Sequence, residues 1–132
     1  MIDIFNEVYN SLVKTLATYD TNIGTSSVYL NMPSKYPFVS MEEIDNSVDM
    51  MTSDCCHIEN CADISFEINV YTQGTTKKSN GDSIAKVVDN YFASIGFVRQ
   101  SKNAFQSEDE KTYRIVIRYG GVVSQDHIVY RR

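Results

Sequence analysis

The sequence is poor in cysteine, in basic residues and in long apolar runs, and each shortage excludes a class of protein. Three cysteines, an odd count crowded into Cys55, Cys56 and Cys61, do not form a disulfide framework and fit a reducing cytoplasm. No eighteen consecutive apolar residues occur and no signal-like segment opens the chain, so we expect a soluble, unexported protein without membrane contact. The net charge of −5 argues against tight binding of nucleic-acid phosphate.

The cysteine cluster is the first candidate for chemistry. Cys55, Cys56 and Cys61, with His57 and His127, offer soft ligands, and a zinc site needs four such groups in a tetrahedron. The spacing argues against zinc, because Cys55 and Cys56 are adjacent and no second Cys-x-x-Cys pair exists. A cysteine nucleophile with His127 as its base lacks a glycine loop for an oxyanion hole. We favour ordinary loop or buried thiols, and a small metal-binding domain or enzyme stays as the alternative.

Other candidates for catalysis are weaker. Glu42, Glu43 and the acidic run 108–110 lie on predicted turns or strand ends, where clustered carboxylates stay solvated. Gly74 and Gly81 precede a predicted helix, but the spacing Gly-x-x-x-x-Gly-Lys-Ser/Thr of a phosphate-binding loop is absent. The sequence therefore predicts a protein that is not an enzyme and needs no cofactor or metal.

Two hydrophobic patterns predict the fold, and 132 residues suit a single domain over 1–132. Residues 59–71 alternate between apolar and polar, the period of a half-buried strand. Apolar residues in 83–95 recur at helical spacing, and Gly96 follows where a helix needs a left-handed residue. We expect one interface between this helix and the strand, formed by Phe66, Ile68, Phe92 and Ile95.

The remaining elements complete an α+β fold. The chain begins with a predicted helix over 2–17 and a strand over 38–44 that Pro37 opens. A polar loop over 73–82 precedes the second helix, with a helix cap at Asn80 or Asp82. A strand then begins at 97–99, a polar turn covers 101–111, and a strand over 112–119 breaks or bulges at Gly120-Gly121 before a possible terminal edge strand. The prediction is an antiparallel or mixed sheet of four to five strands packed by two helices, in the order α-β-β-α-β-β.

Two sets of residues are predicted to contact other proteins. Tyrosine occurs nine times and tryptophan never, and Tyr and Arg on the strands are typical of interfaces, although they also simply cover sheets. The predicted subunit interface comprises Lys77, Lys78, Tyr113, Arg114, Arg118 and Arg131. The loop over 45–54 reads as a protruding tip with adaptable apolar groups among acids, and it predicts a partner-binding site at Asp49, Met50, Met51 and Asp54.

Several segments taken together resemble a family of viral structural proteins. They are Tyr36-Pro37-Phe38-Val39 opening a strand, Ile68-Asn69-Val70-Tyr71-Thr72 ending one, Ser94-Ile95-Gly96-Phe97-Val98-Arg99 after a helix, and the strand from Thr112 to Tyr119. In order and spacing these segments, which span residues 36 to about 123, resemble the tail terminator, or tail completion, proteins of long-tailed bacteriophages and related minor structural proteins of Gram-positive prophages.

The resemblance implies a virion protein of the tail or neck, assembled in the host cytoplasm. Such a protein forms a ring, commonly a hexamer, that caps the head-proximal end of the tail tube, stops its polymerisation and joins the head completion (stopper) protein. Under this hypothesis DNA passes through the ring without specific binding, and an acidic wall would keep phosphate from adhering. A head-to-tail adaptor or stopper subunit is the alternative within virion assembly.

Overall fold

The computed structural model describes residues 1–27, 36–48, 61–106, 112–124 and 129–130. These residues form two helices and six strands, which confirms the predicted α+β class and adds one short strand before the first predicted one. In chain order the elements are α1 (Phe5–Tyr19), β1 (Gly24–Ser26), β2 (Phe38–Val48), β3 (Cys61–Gln73), α2 (Lys77–Ser94), β4 (Val98–Gln106), β5 (Thr112–Ser124) and β6 (Val129–Tyr130).

The strands form one mixed sheet in the order β1-β2-β3-β5-β4, and the short β6 pairs with the end of β5. Only the β1–β2 pair is parallel; β2, β3, β5 and β4 alternate in direction. The register of β3 on β5 runs without a shift from Cys61↔Ser124 to Gln73↔Thr112. This long antiparallel pair is the centre of the sheet.

Both helices pack on one face of that sheet, which we call the helix face. The apolar residues of β3 that alternate from Ala62 to Val70 are buried there, as the sequence pattern predicted. Phe92 of α2 is fully buried, stacks on Tyr119 with ring centroids 4.3 Å apart, and lies 6.3 Å from Phe66. Phe5 of α1 reaches the same ring of Phe66 at 6.1 Å. The predicted helix-to-sheet interface is therefore confirmed.

The end of α2 follows the sequence prediction, because Gly96 has a φ of 96° and closes a Schellman motif. The amide of Gly96 donates to the carbonyl of Ala93 at 3.2 Å, and the amide of Phe97 donates to that of Phe92 at 3.0 Å. The rings of Phe92 and Phe97 then meet edge to face at 5.8 Å, which is the apolar contact that accompanies this motif.

The predicted start of α2 was wrong, because the helix begins at Lys77 and takes in half of the expected polar loop. Asn80 and Asp82 are therefore inside the helix rather than caps; the Asn80 side-chain amide donates to Thr76 Oγ1 at 3.0 Å. Gly81 reads as a loop residue, but it is buried where the helix meets the sheet. A Cβ there would lie 3.0 Å from the ring of Tyr113, so glycine allows the close approach.

Two further predictions are corrected at the far side of the sheet. Residues 101–106 continue β4, where a polar turn was expected. Gly120 and Gly121 do not interrupt β5; the irregularity lies opposite, where Gln100 is the extra residue between Arg99 and Ser101 of β4. A Cβ on Gly120 would collide with the Gln100 amide, so the glycine is explained by the bulge of its neighbour.

Candidate subunit-interface surfaces

The sheet face opposite the helices, which we call the second face, is organised around Arg114 of β5. Its Nε and Nη2 atoms donate to Asn69 Oδ1 of β3 at 3.0 and 2.8 Å. The guanidinium carbon lies 5.8 Å from the ring centre of Tyr71 and 6.0 Å from that of Phe105 on β4. Arg114 therefore ties three neighbouring strands together on this face.

Two polar groups beside Arg114 are buried without full hydrogen bonding. Asn69 and Ser40 are directly opposite each other in the β2–β3 register, and both are 0% exposed. Asn69 Nδ2 and Ser40 Oγ have no hydrogen-bond partner among the described residues. A buried polar group that is left unpaired costs roughly 1–3 kcal/mol, so the hydrogen bonds that Arg114 gives Asn69 matter for the stability of this part of the second face.

Arg118, four residues along β5, has a more open environment. Its Nη2 lies 3.9 Å from Glu67 Oε1, and the Arg118 side chain is 52% exposed. An ion pair of this length and exposure contributes little to stability, so Arg118 is able to reach another molecule at small cost. Arg114 and Arg118, both predicted at the subunit interface, thus share the second face but differ in how firmly they are held.

Lys77, Lys78 and Tyr113, the other predicted interface residues that the structure describes, are not on that face. Thr72 Oγ1 donates to the carbonyl of Lys77 at 2.7 Å and lies 3.4 Å from the carbonyl of Tyr113, which places the start of α2 beside Tyr113 on the helix side at one end of the sheet. Tyr113 is half-buried against the core. Burial, with Asp82 adding to the effect, raises the pKa of its hydroxyl.

Several predicted residues lie outside the described ranges. They are the partner-binding set Asp49, Met50, Met51 and Asp54, the interface residue Arg131, and the potential metal ligands Cys55, Cys56, His57 and His127. Cys61, the one described cysteine, is a half-buried free thiol. Within the described ranges, no group of three or more His, Cys, Asp and Glu side chains is arranged to hold a metal ion.

The two lateral edges of the sheet carry opposite charges, a feature that depends on the order of the strands. At one edge, β4 pairs only with β5 among the described strands, and its two charged residues are Arg99 and Lys102. At the other edge, the pairs of β1 with β2 within the described ranges cover residues 38–40, and β2 continues past them with Glu42, Glu43 and Asp45. One edge is therefore basic and the other acidic.

Arg99 is already engaged within its own subunit. Its Nη1 lies 3.4 Å from Asp89 Oδ2 of α2, and the other oxygen of Asp89 accepts a 3.1 Å hydrogen bond from the buried Tyr119 hydroxyl. Burial, reinforced by the Asp89 carboxylate, raises the pKa of Tyr119. Lys102 makes no ion pair with any residue in the described part of the chain, which leaves it as the available cation of the β4 edge.

Glu43 on the acidic edge is under electrostatic strain. Its Oε1 accepts a 3.2 Å hydrogen bond from Asn46 Nδ2, and Asn46 also donates to the carbonyl of Ile2 at 2.8 Å. Partial burial raises the pKa of Glu43, and the nearby carboxylates of Asp3 and Asp45 raise it further. The carboxylates of Asp3 and Asp45 are therefore close enough to Glu43 to disfavour its ionised form.

Comparisons with known proteins find similarity among solved structures. No protein-family model matches the chain, and no curated protein does. Among solved structures, the gp17 protein of bacteriophage SPP1 matches with a TM-score of 0.44 at 17% identity, over 87% of this chain and 88% of that one. Neither described helix is long and apolar enough to cross a membrane.

Proposed function

We propose that this chain is a virion structural protein that forms a ring, with six subunits the expected number, at the head-proximal end of a phage tail tube. It would end polymerisation of the tube and join the tail to the head completion protein, with DNA passing through the ring. The motive for the tail assignment is the resemblance of residues 36 to about 123 to tail terminator proteins. A head-to-tail adaptor or stopper subunit would share the ring and differ in its partner.

The main observation in support of a ring is the nine-residue strand β4 at an edge of the sheet. An edge strand presents a row of main-chain amides and carbonyls able to pair with another chain. Val98 and Phe105 of β4 are 45% and 52% exposed, so the edge offers apolar side chains as well as hydrogen bonds. Together these features favour a surface that is completed by another subunit.

The two faces of the sheet support the same proposal. The helix face supplies the core, and the second face presents Arg118 beside the β4 edge, where it can extend to a neighbouring subunit. Lys77, Lys78 and Tyr113 mark a second contact region at one end of the sheet, and Arg131 belongs to the proposed interface by sequence alone. Asp49, Met50, Met51 and Asp54 stay, by sequence alone, the proposed contact for the tube or the head completion protein.

Assembly of the purified chain tests this function. Native mass spectrometry and negative-stain electron microscopy, over a range of concentrations and with or without the tail tube protein of the same phage, should reveal a closed ring. Addition of that ring to polymerising tube protein should stop elongation and leave a density at one end of each tube. A chain that stays monomeric even with tube protein present would overturn the proposal, and a ring that binds only the head side would favour the adaptor.

A further inference from the structure

We propose that the basic β4 edge of one subunit pairs with the acidic β2 edge of the next copy, with Lys102 opposite Glu43 at the centre of the contact. This inference rests on the proposed ring and names the two surfaces that would close it. The occupant of each edge is therefore a second copy of this chain, joined head to tail. The stretch of β2 involved is residues 41–48, beyond the end of β1.

Strand direction permits this pairing. β2 is antiparallel to β3, β3 to β5, and β5 to β4, so β2 and β4 run in opposite directions within one subunit. When two copies stand side by side in the same orientation, β4 of the first and β2 of the second meet as antiparallel strands. Their helices then lie on the same side of a continuous sheet. Repeating such a heterologous contact around an axis closes a ring.

Charge complementarity favours β2 of a second copy as the strand that pairs with the β4 edge. Strand β4 carries Arg99 and Lys102 and no acid, whereas residues 41–48 of β2 carry Glu42, Glu43 and Asp45 and no base. Two β4 edges placed together would oppose lysine to lysine, and two β2 edges would bring six carboxylates together. Since like charges placed directly across a contact cost several kcal/mol, the unlike edges are the favoured pair.

Lys102 and Glu43 also lie on the same side of the sheet, as direct pairing across the contact requires. Lys102 is opposite Ile117 in the register, and Glu43 is opposite Phe66, so both belong to the helix face. In a continuous sheet they would point the same way and lie within reach of each other across the contact. The ammonium group of Lys102 would then balance the carboxylates of Asp3, Glu43 and Asp45, which repel one another in the single subunit.

Apolar side chains are exposed where the contact would bury them. Ile44, the extra residue in the bulge of β2, is 42% exposed, and Val98 at the start of β4 is 45% exposed. The other described large apolar residues with this degree of exposure are Met1, Tyr19 and Phe105, and Phe105 is itself on β4. Ile44 and Val98 therefore lie where the two edges would pair, and Phe105 lies just beyond, opposite the part of β2 that β1 occupies.

Charge reversal on each edge tests the contact. Lys102→Glu and Glu43→Lys should each raise the concentration needed for half-assembly by about tenfold or more, since either one places like charges together. The matched control is Lys86→Glu, a charge reversal on the exposed side of α2, which should assemble like the wild type. Thermal unfolding of all variants as monomers should agree within a few degrees, because all three side chains are exposed on the surface.

Mixing the two single variants is the sharper test. In a 1:1 mixture, the glutamate at position 102 of one variant meets the lysine at position 43 of the other, and the wild-type pair forms at every second contact. The mixture should therefore regain assembly as rings of equal composition, resolved by mass after isotope labelling of one variant. The double variant Lys102→Glu/Glu43→Lys should assemble on its own.

The possible results separate this contact from the proposed function. Wild-type rings that neither single reversal weakens, or a mixture that regains no assembly, would overturn the β4–β2 contact and leave the ring standing. In the alternative, Lys102 and the Gln100 bulge protect the β4 edge from pairing with any strand. Reversal of Lys102 would then leave the rings unchanged, and the β4–β2 contact would be wrong. A wild-type chain that forms no ring at all would overturn both proposals.

Discussion

The two faces of the central strands are buried by different means. On the helix face, the apolar row of β3 packs against the rings of Phe92 and Tyr119, and Phe66, Ile68 and Phe92 are fully buried. On the second face, Asn69 is equally buried, but it is held by the guanidinium of Arg114. The helix face therefore derives its stability from apolar area, and the second face depends on hydrogen bonds whose loss leaves buried groups unsatisfied.

The largest expected effect is on the helix face. Phe92→Ala removes a ring that is 0% exposed and contacts Phe66, Phe97 and Tyr119, and truncation of a buried phenylalanine costs about 3–5 kcal/mol. This is a large fraction of the stability of a small domain, so we expect insoluble or unfolded protein. Soluble expression, circular dichroism and urea unfolding measure the outcome.

The matched control for Phe92→Ala is Phe105→Ala, the same substitution on the second face. Phe105 is 52% exposed and its ring lies 6.0 Å from the Arg114 guanidinium, so its loss should cost less than about 1 kcal/mol in the monomer. Equal losses of stability for the two substitutions would mean that the helix face does not carry the core, and the contrast between the faces would be wrong.

An intermediate loss of monomer stability is expected for a substitution on the second face. Arg114→Ala removes both hydrogen bonds to Asn69 Oδ1 and leaves a fully buried amide unsatisfied, which costs about 1–3 kcal/mol. Arg118→Ala is the matched control on the same face of the same strand, and it should cost about 1 kcal/mol or less because its ion pair with Glu67 is 3.9 Å long and the Arg118 side chain is 52% exposed. Urea unfolding at a concentration where the chain is monomeric measures both.

If Arg118→Ala destabilises the monomer as much as Arg114→Ala, the anchoring role of Arg114 is wrong. If instead Arg118→Ala is silent in the monomer but weakens assembly, the distinction between a residue that holds the fold and one that contacts a neighbouring subunit is confirmed. Assembly is measured by native mass spectrometry on the same samples.

The helix face could be predicted from the sequence because burial imposes a period on it. Strand β3 and the last three turns of α2 show that period plainly, and the order of the elements follows from them. The beginning of α2 could not be predicted, since Lys77, Lys78 and Asn80 are polar and Gly81 resembles a loop residue until the nearby Tyr113 ring explains it.

The edges and the second face were harder to predict, for a physical reason. An edge strand such as β4 is solvated on several sides, so Ser101, Lys102 and Asn103 carry no alternation and resemble a turn. The sequence predicts both Arg114 and Arg118 at the subunit interface, but their different environments depend on Asn69 and Glu67 across the sheet. Such neighbours are set by register, and a single sequence does not contain the register.

The smallest expected effect is that of replacing Glu43 on the acidic edge. The replacement should stabilise the monomer but weaken assembly of the proposed ring. The raised pKa of Glu43 in the folded subunit means that the ionised carboxylate is less stable there than in the unfolded chain. Glu43→Gln should therefore stabilise the monomer at neutral pH, by less than about 0.5 kcal/mol at so exposed a site. The gain should vanish as the pH falls below the ordinary pKa of glutamic acid, where both states are protonated.

In the ring the same substitution should be unfavourable, because it removes the partner that we propose for Lys102. Assembly of the wild type should weaken as the pH falls through the raised pKa of Glu43, whereas assembly of Glu43→Gln should depend less on pH over that range. Thermal unfolding of dilute protein measures the effect on monomer stability. Native mass spectrometry of concentrated protein at the same pH values measures the effect on ring assembly. A substitution that stabilises the monomer and also strengthens the ring would show that Glu43 faces no cation in the neighbouring copy.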